Sequence, residues 1–383
     1  MRAMGLIALL HLYVGWRVAP SLPWPAAGAA FLLLLGLNAV LVPAGFASRR
    51  LPDREAADRW TWAGMLALGL FSMLVVLTVL RDVVLLATLP LSHGALAQAT
   101  APAVPLLALA AIAWGLFQAR RTARIREVDV PIAGLPAALQ GFTIVQISDV
   151  HVGPTVKRPY VQAIVDAVNR LNADAVAVTG DLVDGRVDDL RAEVQPLADL
   201  RARHGSFFVA GNHEYYSGVE EWIAQLRLLG LRVLMNEHVV IDHDGERLVL
   251  AGVSDWSAHH FIAAHRSDPR AALAGAPPDA ALRVLLAHQP RSAPAAADAG
   301  FDLQLSGHTH GGQFWPWNLF VPLQQPFTAG LHRLQRLWVY TSRGTGYWGP
   351  PLRLGAPSEI TRLRLVAATE PSHRSSGRDG VLT

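Results

Sequence analysis

Apolar runs dominate the first third of the chain, and alternation dominates the rest. Four apolar stretches cover roughly residues 4–18, 25–46, 60–80 and 101–117. The second and third reach the ~20 residues that cross a bilayer as a helix. The first is shorter and carries His11 and Arg17; the fourth is shorter and carries Pro102 and Pro105. Beyond residue 126 short β-branched runs alternate with helical spacing. Residues 142–148 (FTIVQIS), 175–179 (AVAVT), 207–210, 248–253, 282–287 and 302–305 read as strands. Residues 158–171 place Val161, Ile164, Val165, Val168 and Leu171 on one helical face, and 219–229 reads as a further helix. This alternation predicts an α/β domain. The organisation is an all-α transmembrane region of about four helices over 1–126, an α/β domain over 127–366, and a Ser-, Arg- and Gly-rich tail, 367–383, expected to be disordered.

Basic residues in the short connections orient the membrane region. Arg49, Arg50, Arg54 and Arg59 follow the second stretch, and Arg120, Arg121, Arg124 and Arg126 follow the fourth, whereas the other connections hold Arg17 and Arg81. Four spans with both termini inside satisfy this bias. They make a multi-pass protein of the inner (plasma) membrane with residues 127–366 in the cytoplasm; losing one span would turn that domain outward. A signal peptide is a poor account of the first stretch, because Arg17 stands where a small-x-small cleavage site belongs and three more apolar stretches follow. Ser48-Arg49-Arg50-Leu51 has the loose form of a twin-arginine signal but lies far from the N-terminus. Polar residues inside spans are functional candidates, and His11, Asn38 and Asp82 qualify. Each sits near a span end or is uncharged, and they form no cluster along the sequence, so the region is expected to be an anchor rather than a transporter.

Composition sharpens this division. Of 383 residues, 51% are hydrophobic and 16% charged, against about 25% charged in soluble domains, and mean hydropathy is +0.27. A disordered chain is excluded. Residues 1–126 hold 11 Arg against 4 acidic residues, and the remainder holds 22 basic against 26 acidic residues. The high pI of about 9.6 therefore belongs to the membrane half and is no nucleic-acid footprint. There is no cysteine, which excludes disulfides, thiolate metal sites and thiol nucleophiles. A metal would have to sit on His, Asp, Glu or Asn.

Those residues fall in one kind of place. The expected core strands end in Asp149 with His151, Asp181, Asn212 with His213, His288, and His308 with His310, mostly beside glycine. In open α/β sheets the carboxyl ends of strands form the ligand crevice. Alone, each piece has an ordinary explanation: a turn, a satisfied core histidine, a loop. Together, five segments deliver hard-to-borderline ligands to one rim.

The set D-V-H, G-D-L-V-D-G, G-N-H-E, a lone His and G-H-T-H resembles the calcineurin-like metallophosphoesterases over residues 140–366. The run from G-H-T-H-G-G-Q to Ser342-Arg343-Gly344 and Pro357-Ser358-Glu359-Ile360 is similar to the membrane-anchored bacterial branch of YkuE/YaeI type. The resemblance implies a two-sheet α/β sandwich with two divalent ions, Mn, Fe or Zn, at the sheet rim. Such ions, about 3.5–4 Å apart, clamp an in-line phosphoryl displacement and activate a bridging hydroxide. By correspondence Asp181 is the shared ligand, Asp149, His151 and His310 complete one site, and Asn212, His288 and His308 complete the other. His213 is left to protonate the leaving oxygen, with Asp184 orienting it, and Arg343 suits a phosphate oxygen or a surface salt bridge.

The expected activity is a metal-dependent phosphodiesterase or pyrophosphatase. The anchor suggests a lipid-linked substrate such as UDP-2,3-diacylglucosamine of lipid A synthesis. A phosphoprotein or nucleotide phosphatase of the same chemistry, and a non-catalytic membrane sensor with a metal-binding domain, are the alternatives. The bilayer and a phosphorylated or lipid-linked small molecule are the expected partners, with no nucleic acid. Trp256, Phe261, Phe314, Trp315 and Trp317 are aromatic candidates for acyl-chain contact, with core packing as their plainer account.

Overall fold

The computed structural model describes residues 2–88 and 93–368; of the expected tail, 369–383 lie outside the described residues. Five helices form the N-terminal region: α1 (Arg2–Val18), α2 (Pro25–Ala47), α3 (Arg54–Ala87), α4 (His93–Thr100) and α5 (Ala103–Arg120). All four apolar stretches are helical. Three units have the length and composition of a span, namely α2, α3 and the continuous piece 94–120, whereas α1 has only 17 residues. Val14 and Val18 of α1 still pack with Phe31, Leu35 and Leu74 of α2 and α3.

Helix α3 is longer than its apolar stretch. Asp53 caps it by accepting from the Glu55 and Ala56 N–H groups, and its first turns stand beside the second domain, where Arg54 meets Asp189 at 2.5 Å and Asp58 meets Lys157 at 2.7 Å. Between α2 and α3 a Cβ on Gly64 would lie 2.4 Å from Gly45 Cα. Lipid offers no hydrophobic drive for helix contact, so small residues that let backbones approach supply the packing.

The polar residues of this bundle are paired, which corrects the expectation that they form no cluster. His11 Nε2 lies 3.0 Å from Asn38 Oδ1, and Asn38 donates to the Ala67 carbonyl. Arg17 and Tyr13 both donate to Asp82. Their partners lie 27 to 69 positions apart, out of reach of a reading along the chain. Each pair ties one helix to another.

The second domain contains two mixed six-stranded sheets. The first runs β1 (Arg124–Ile132), β12 (Glu359–Ala367), β2 (Thr143–Ile147), β3 (Ala175–Val178), β4 (Ser206–Phe208), β5 (Arg232–Val233). The second runs β10 (Gly330–Leu334), β11 (Leu337–Thr341), β9 (Leu303–Ser306), β8 (Leu282–Leu286), β7 (Glu246–Gly252), β6 (Glu237–His243). The period of two along each strand assigns its faces. In β3, Ala175 and Ala177 join Leu250, Val284 and Leu305 between the sheets, while Val176 and Val178 face outward onto Val161, Ile164 and Trp222. Helices α6 (Arg158–Asn169), α7 (Val187–Val194) and α9 (Val219–Leu228) supply that outer layer. Strands covered on both faces need continuous apolar runs, which is why they were readable as such.

Strands β2 to β5 are mutually parallel, as are β7, β8, β9 and β11. Their carboxyl ends converge on one rim. Gln146 bridges the sheets just below it, donating to Thr179 Oγ1 and the Ser306 carbonyl.

Candidate metal centre

Each strand ends in an abrupt turn that swings a polar side chain over the rim. Asp149, His151, Asp181, His308 and His310 all have φ between 51° and 70°, the left-handed region that costs an L-residue of order 1–3 kcal/mol. Asp and His tolerate it better than bulkier residues, and the packing enforces it. A Cβ on Gly307 would stand 2.2 Å from Asp149 Oδ2, and one on Gly211 would stand 2.3 Å from Asp181 Oδ1. Only glycine lets these loops close on the carboxylates.

Asp149, His151 and His310 bring potential ligand atoms within 4.8 Å of one another, and so do Asp181, His288 and His308; a third set, His151, Asp184 and His213, shares His151 with the first. In the first, His151 Nε2 and His310 Nε2 are 3.0 Å apart, and His310 Nε2 is 3.5 Å from Asp149 Oδ1. In the second, His288 Nε2 is 3.1 Å from Asp181 Oδ2 and 3.2 Å from His308 Nδ1. Asp181 Oδ2 also lies 3.9 Å from His151 Nε2, so this one carboxylate faces both groups. The His288 Nδ1 donates to the Thr179 carbonyl at 2.8 Å, which turns Nε2 toward Asp181, the arrangement by which outer partners fix ligand histidines.

The electrostatics suit a cation. Burial works against the charge on Asp181, but His288, His213 and His151 outweigh it and hold the carboxyl well below the usual range. Burial likewise opposes charge on His288, yet Asp181 and Asp149 push it well above an ordinary imidazole. Burial and His288 push His308 down to about 3, and burial, His151 and Arg353 push His310 well down, so both present neutral nitrogens. Asn212 Oδ1 is buried with no hydrogen-bond partner among the described residues. It stands between Gly211, packed on Asp181, and His213, whose N–H donates to Asp181 Oδ1 at 2.9 Å. Burial pushes the Asp149 carboxyl up, against the pull of His288 and His151. The orphaned Asn212 oxygen, the neutral His308 and His310 nitrogens and the ionised Asp181 carboxylate are donors that a divalent metal fits.

His213 and Asp184 lie together as expected, with His213 Nδ1 2.5 Å from Asp184 Oδ1. Burial disfavours the imidazolium, but the hydrogen bond to Asp184 and the Asp181 and Asp184 charges raise His213 to about 9. Asp184 has a second contact that the sequence did not suggest: His151 Nδ1 donates to the same oxygen at 3.1 Å. One carboxylate thus orients both a candidate ligand histidine and the acid candidate.

Three further residues escaped the sequence reading. Glu214 is buried and accepts from four backbone N–H groups, those of Asp181, Leu182, Val183 and Gly211, at 2.7–3.3 Å; it clasps two ligand loops together. Burial and Asp181 push its carboxyl up to about 7, although four donors favour the ionised form. Arg353 is buried and donates from Nη1 to the His310, Arg343 and Ala356 carbonyls. Trp348 stands with its ring 5.5 Å from that of His213. Glu214 was visible within G-N-H-E; the other two carry no local signal.

Arg343 lies across Gly311, next to His310, and pairs with Glu359 at 3.0 Å. Of the aromatic candidates, Phe261 packs on Tyr215 and Tyr216, Trp256 lies under Arg291, and Phe314 and Trp315 pack against the N-terminal helices.

Residues 142–312 match the calcineurin-like phosphoesterase family. A bovine transmembrane protein with metallophosphoesterase domain is 43% identical over 266 residues, which cover 66% of this chain and 60% of that one. An uncharacterized metallophosphoesterase of Helicobacter pylori is 36% identical over 271 residues, 68% of this chain and 69% of that one. The matched part is 60% of the length of the zebrafish and bovine relatives. Among solved structures, a putative 5′-nucleotidase from Staphylococcus aureus aligns with 60% of this chain and 55% of its own at TM-score 0.38 and 15% identity.

Proposed function

The chain belongs to the calcineurin-like metallophosphoesterases, and from that premise we propose that it is a membrane-anchored hydrolase that holds two divalent ions and cleaves a phosphodiester or pyrophosphate bond. Residues 1–126 are the anchor and 127–366 the catalytic unit. The observation that carries the reading is the convergence of Asp149, His151 and His310 with Asp181, His288 and His308 on one rim, with Asp181 facing both groups and the unpartnered Asn212 oxygen beside it. Asp181 is the shared ligand and Asn212 completes the second set. Mn, Fe or Zn suits these N and O donors. Bound ions supply Lewis acidity to a phosphoryl oxygen and lower the pKa of water.

The chain's own residues do the rest. His213 keeps its proton at neutral pH because Asp184 accepts from Nδ1, and Nε2 is then free to donate to the leaving oxygen. Asp184 fixes both that ring and His151. Arg343, one side of its fork held by Glu359, offers its remaining donors to a phosphate oxygen. The lipid-linked substrate, with UDP-2,3-diacylglucosamine as its model, draws support from the attachment of the catalytic unit to the helices: Leu352 rests on Gly69 and Gly115, and the Arg353 N–H donates to the Gly115 carbonyl at 2.9 Å.

The test is hydrolysis of a soluble aryl phosphodiester by the purified full chain with added Mn²⁺. Turnover that disappears with chelator and in Asp149→Asn supports the reading. A correctly folded, metal-loaded chain that hydrolyses neither this diester nor an aryl monoester refutes it.

A further inference from the structure

The segment that leaves the metal centre after His310 has an unusual surface. From residue 311 to 331 it contains no Asp, Glu, Lys or Arg. Four large apolar side chains within seven residues face outward: Trp317 is 45% exposed, Leu319 62%, Phe320 53% and Leu323 81%. Contiguous apolar exposure of this kind marks a contact surface in a protein that is otherwise well packed.

The helices give its depth. Arg120 at the end of α5 lies over Trp62 of α3, 5.3 Å from the ring centre, so the charged C-terminal end of α5 and the charged N-terminal turns of α3 lie near one level. Trp317 Nε1 donates to Ser72 Oγ of α3 at 3.0 Å, ten residues beyond Trp62, or about 15 Å further along the helix axis. Neighbouring Phe314 and Leu352 share an apolar cluster with Leu74, Val104 and Ala108 of the bundle. The exposed side chains of 317–323 therefore stand alongside the span, at a depth where α5 presents Leu109 and Trp114 outward.

The segment is also tied to the catalytic rim at both ends. Gly312 packs on Asn318, where a Cβ would lie 2.1 Å from Asn318 Cα, and Thr309 Oγ1 donates to the Thr328 carbonyl at 2.6 Å. Gln313 bonds the Trp348 N–H and carbonyl, and Trp348 is the residue beside His213.

We propose that residues 317–323 are embedded in the hydrocarbon of the membrane that the helices cross, so that the metal centre opens toward the adjoining leaflet and takes its phosphoester from lipid there. The embedding follows from the surface and its depth alone; the lipid substrate rests on the phosphoesterase reading.

The absence of cysteine allows single spin labels. Leu323→Cys and Phe320→Cys, labelled in the full chain in phosphatidylcholine/phosphatidylglycerol vesicles, are compared with Leu33→Cys on the outside of α2 and Leu228→Cys on the surface of α9, positions 76% and 82% exposed. Embedding predicts that both segment labels are relaxed by oxygen over a water-soluble nickel chelate to the degree of Leu33. Labels that match Leu228 overturn the proposal, whatever the activity. For access, Leu319→Asp/Leu323→Asp is assayed on a vesicle-borne fluorogenic phosphodiester and a soluble aryl phosphodiester. Selective loss on vesicles is expected; equal loss on both, or loss on neither, removes the access role. A wild type inactive on every ester sinks the phosphoesterase reading and leaves the label result standing.

Discussion

His213 and Asp184 carry the sharpest expectations at the residue scale. The contact with Asp184 and the charge of Asp181 overcome burial and hold the His213 proton to about 9. Because the folded value lies above the unfolded ~6.5, the pair's contribution to stability is complete below pH ~6.5 and is lost as pH rises through about 9. NMR titration of the His213 ring in chelator-treated protein is expected to show a midpoint near that value, and Asp184→Asn to bring it down toward ~6.5; an unchanged midpoint in the variant would remove Asp184 as the cause. The acid role predicts a separate kinetic signature. His213→Asn keeps its metals and loses ~10²–10⁴-fold on esters with alkoxide leaving groups, with far less loss on a nitrophenolate. Equal losses on both would take His213 out of proton transfer. The convergence of the candidate ligands and of this pair on one rim was legible because strand-ending polar residues are rare enough to stand out when five segments share them. Arg353 was not, because it reaches His310 across 43 positions and its own neighbours are ordinary. Trp348 was hidden for the same reason: only the fold brings it to His213.

Elements explain how loops with five left-handed residues stay in place. Glu214, at the start of the short helix α8 (Asn212–Ser217), ties the loop after β3 to the loop after β4 through four N–H donors shared between its two oxygens. In Glu214→Gln an NH₂ group replaces one acceptor, leaving two buried N–H groups without partners at about 1–3 kcal/mol each. Chemical unfolding of the catalytic domain is therefore expected to show a loss of about 2–6 kcal/mol together with weakened metal retention; a variant as stable as wild type would show that the clasp does not hold the loops. The core strands were readable because runs such as AVAV need no partner to identify them. Strand β12 was harder. Its Arg362, Leu363, Arg364 and Leu365 alternate in plain view, but its place between β1 and β2 pairs residues 235 positions apart, as Arg364 with Asp129. Its arrival there completes the first sheet and brings Glu359 to Arg343.

At the scale of the whole molecule the helices and the α/β domain meet along ion pairs at the start of α3 and an apolar seam around Leu352. Eight Arg in two connections against two in the others are the ground on which we propose a cytoplasmic position for residues 127–366. A reporter fused after Ala368 and active only in the cytoplasm is expected to be active. Activity of an export-dependent reporter at that position would place the catalytic unit outside and exclude a nucleotide-activated lipid substrate, while leaving the site's chemistry intact. That chemistry is the central claim, and it turns on Asp181, which faces both ligand groups. Elemental analysis of the purified full chain, wild type beside Asp181→Asn, tests it most directly. Two divalent ions per chain in the wild type, and loss from both sites in the variant, are predicted. A single tightly held ion that Asp181→Asn leaves in place would contradict a shared two-metal centre.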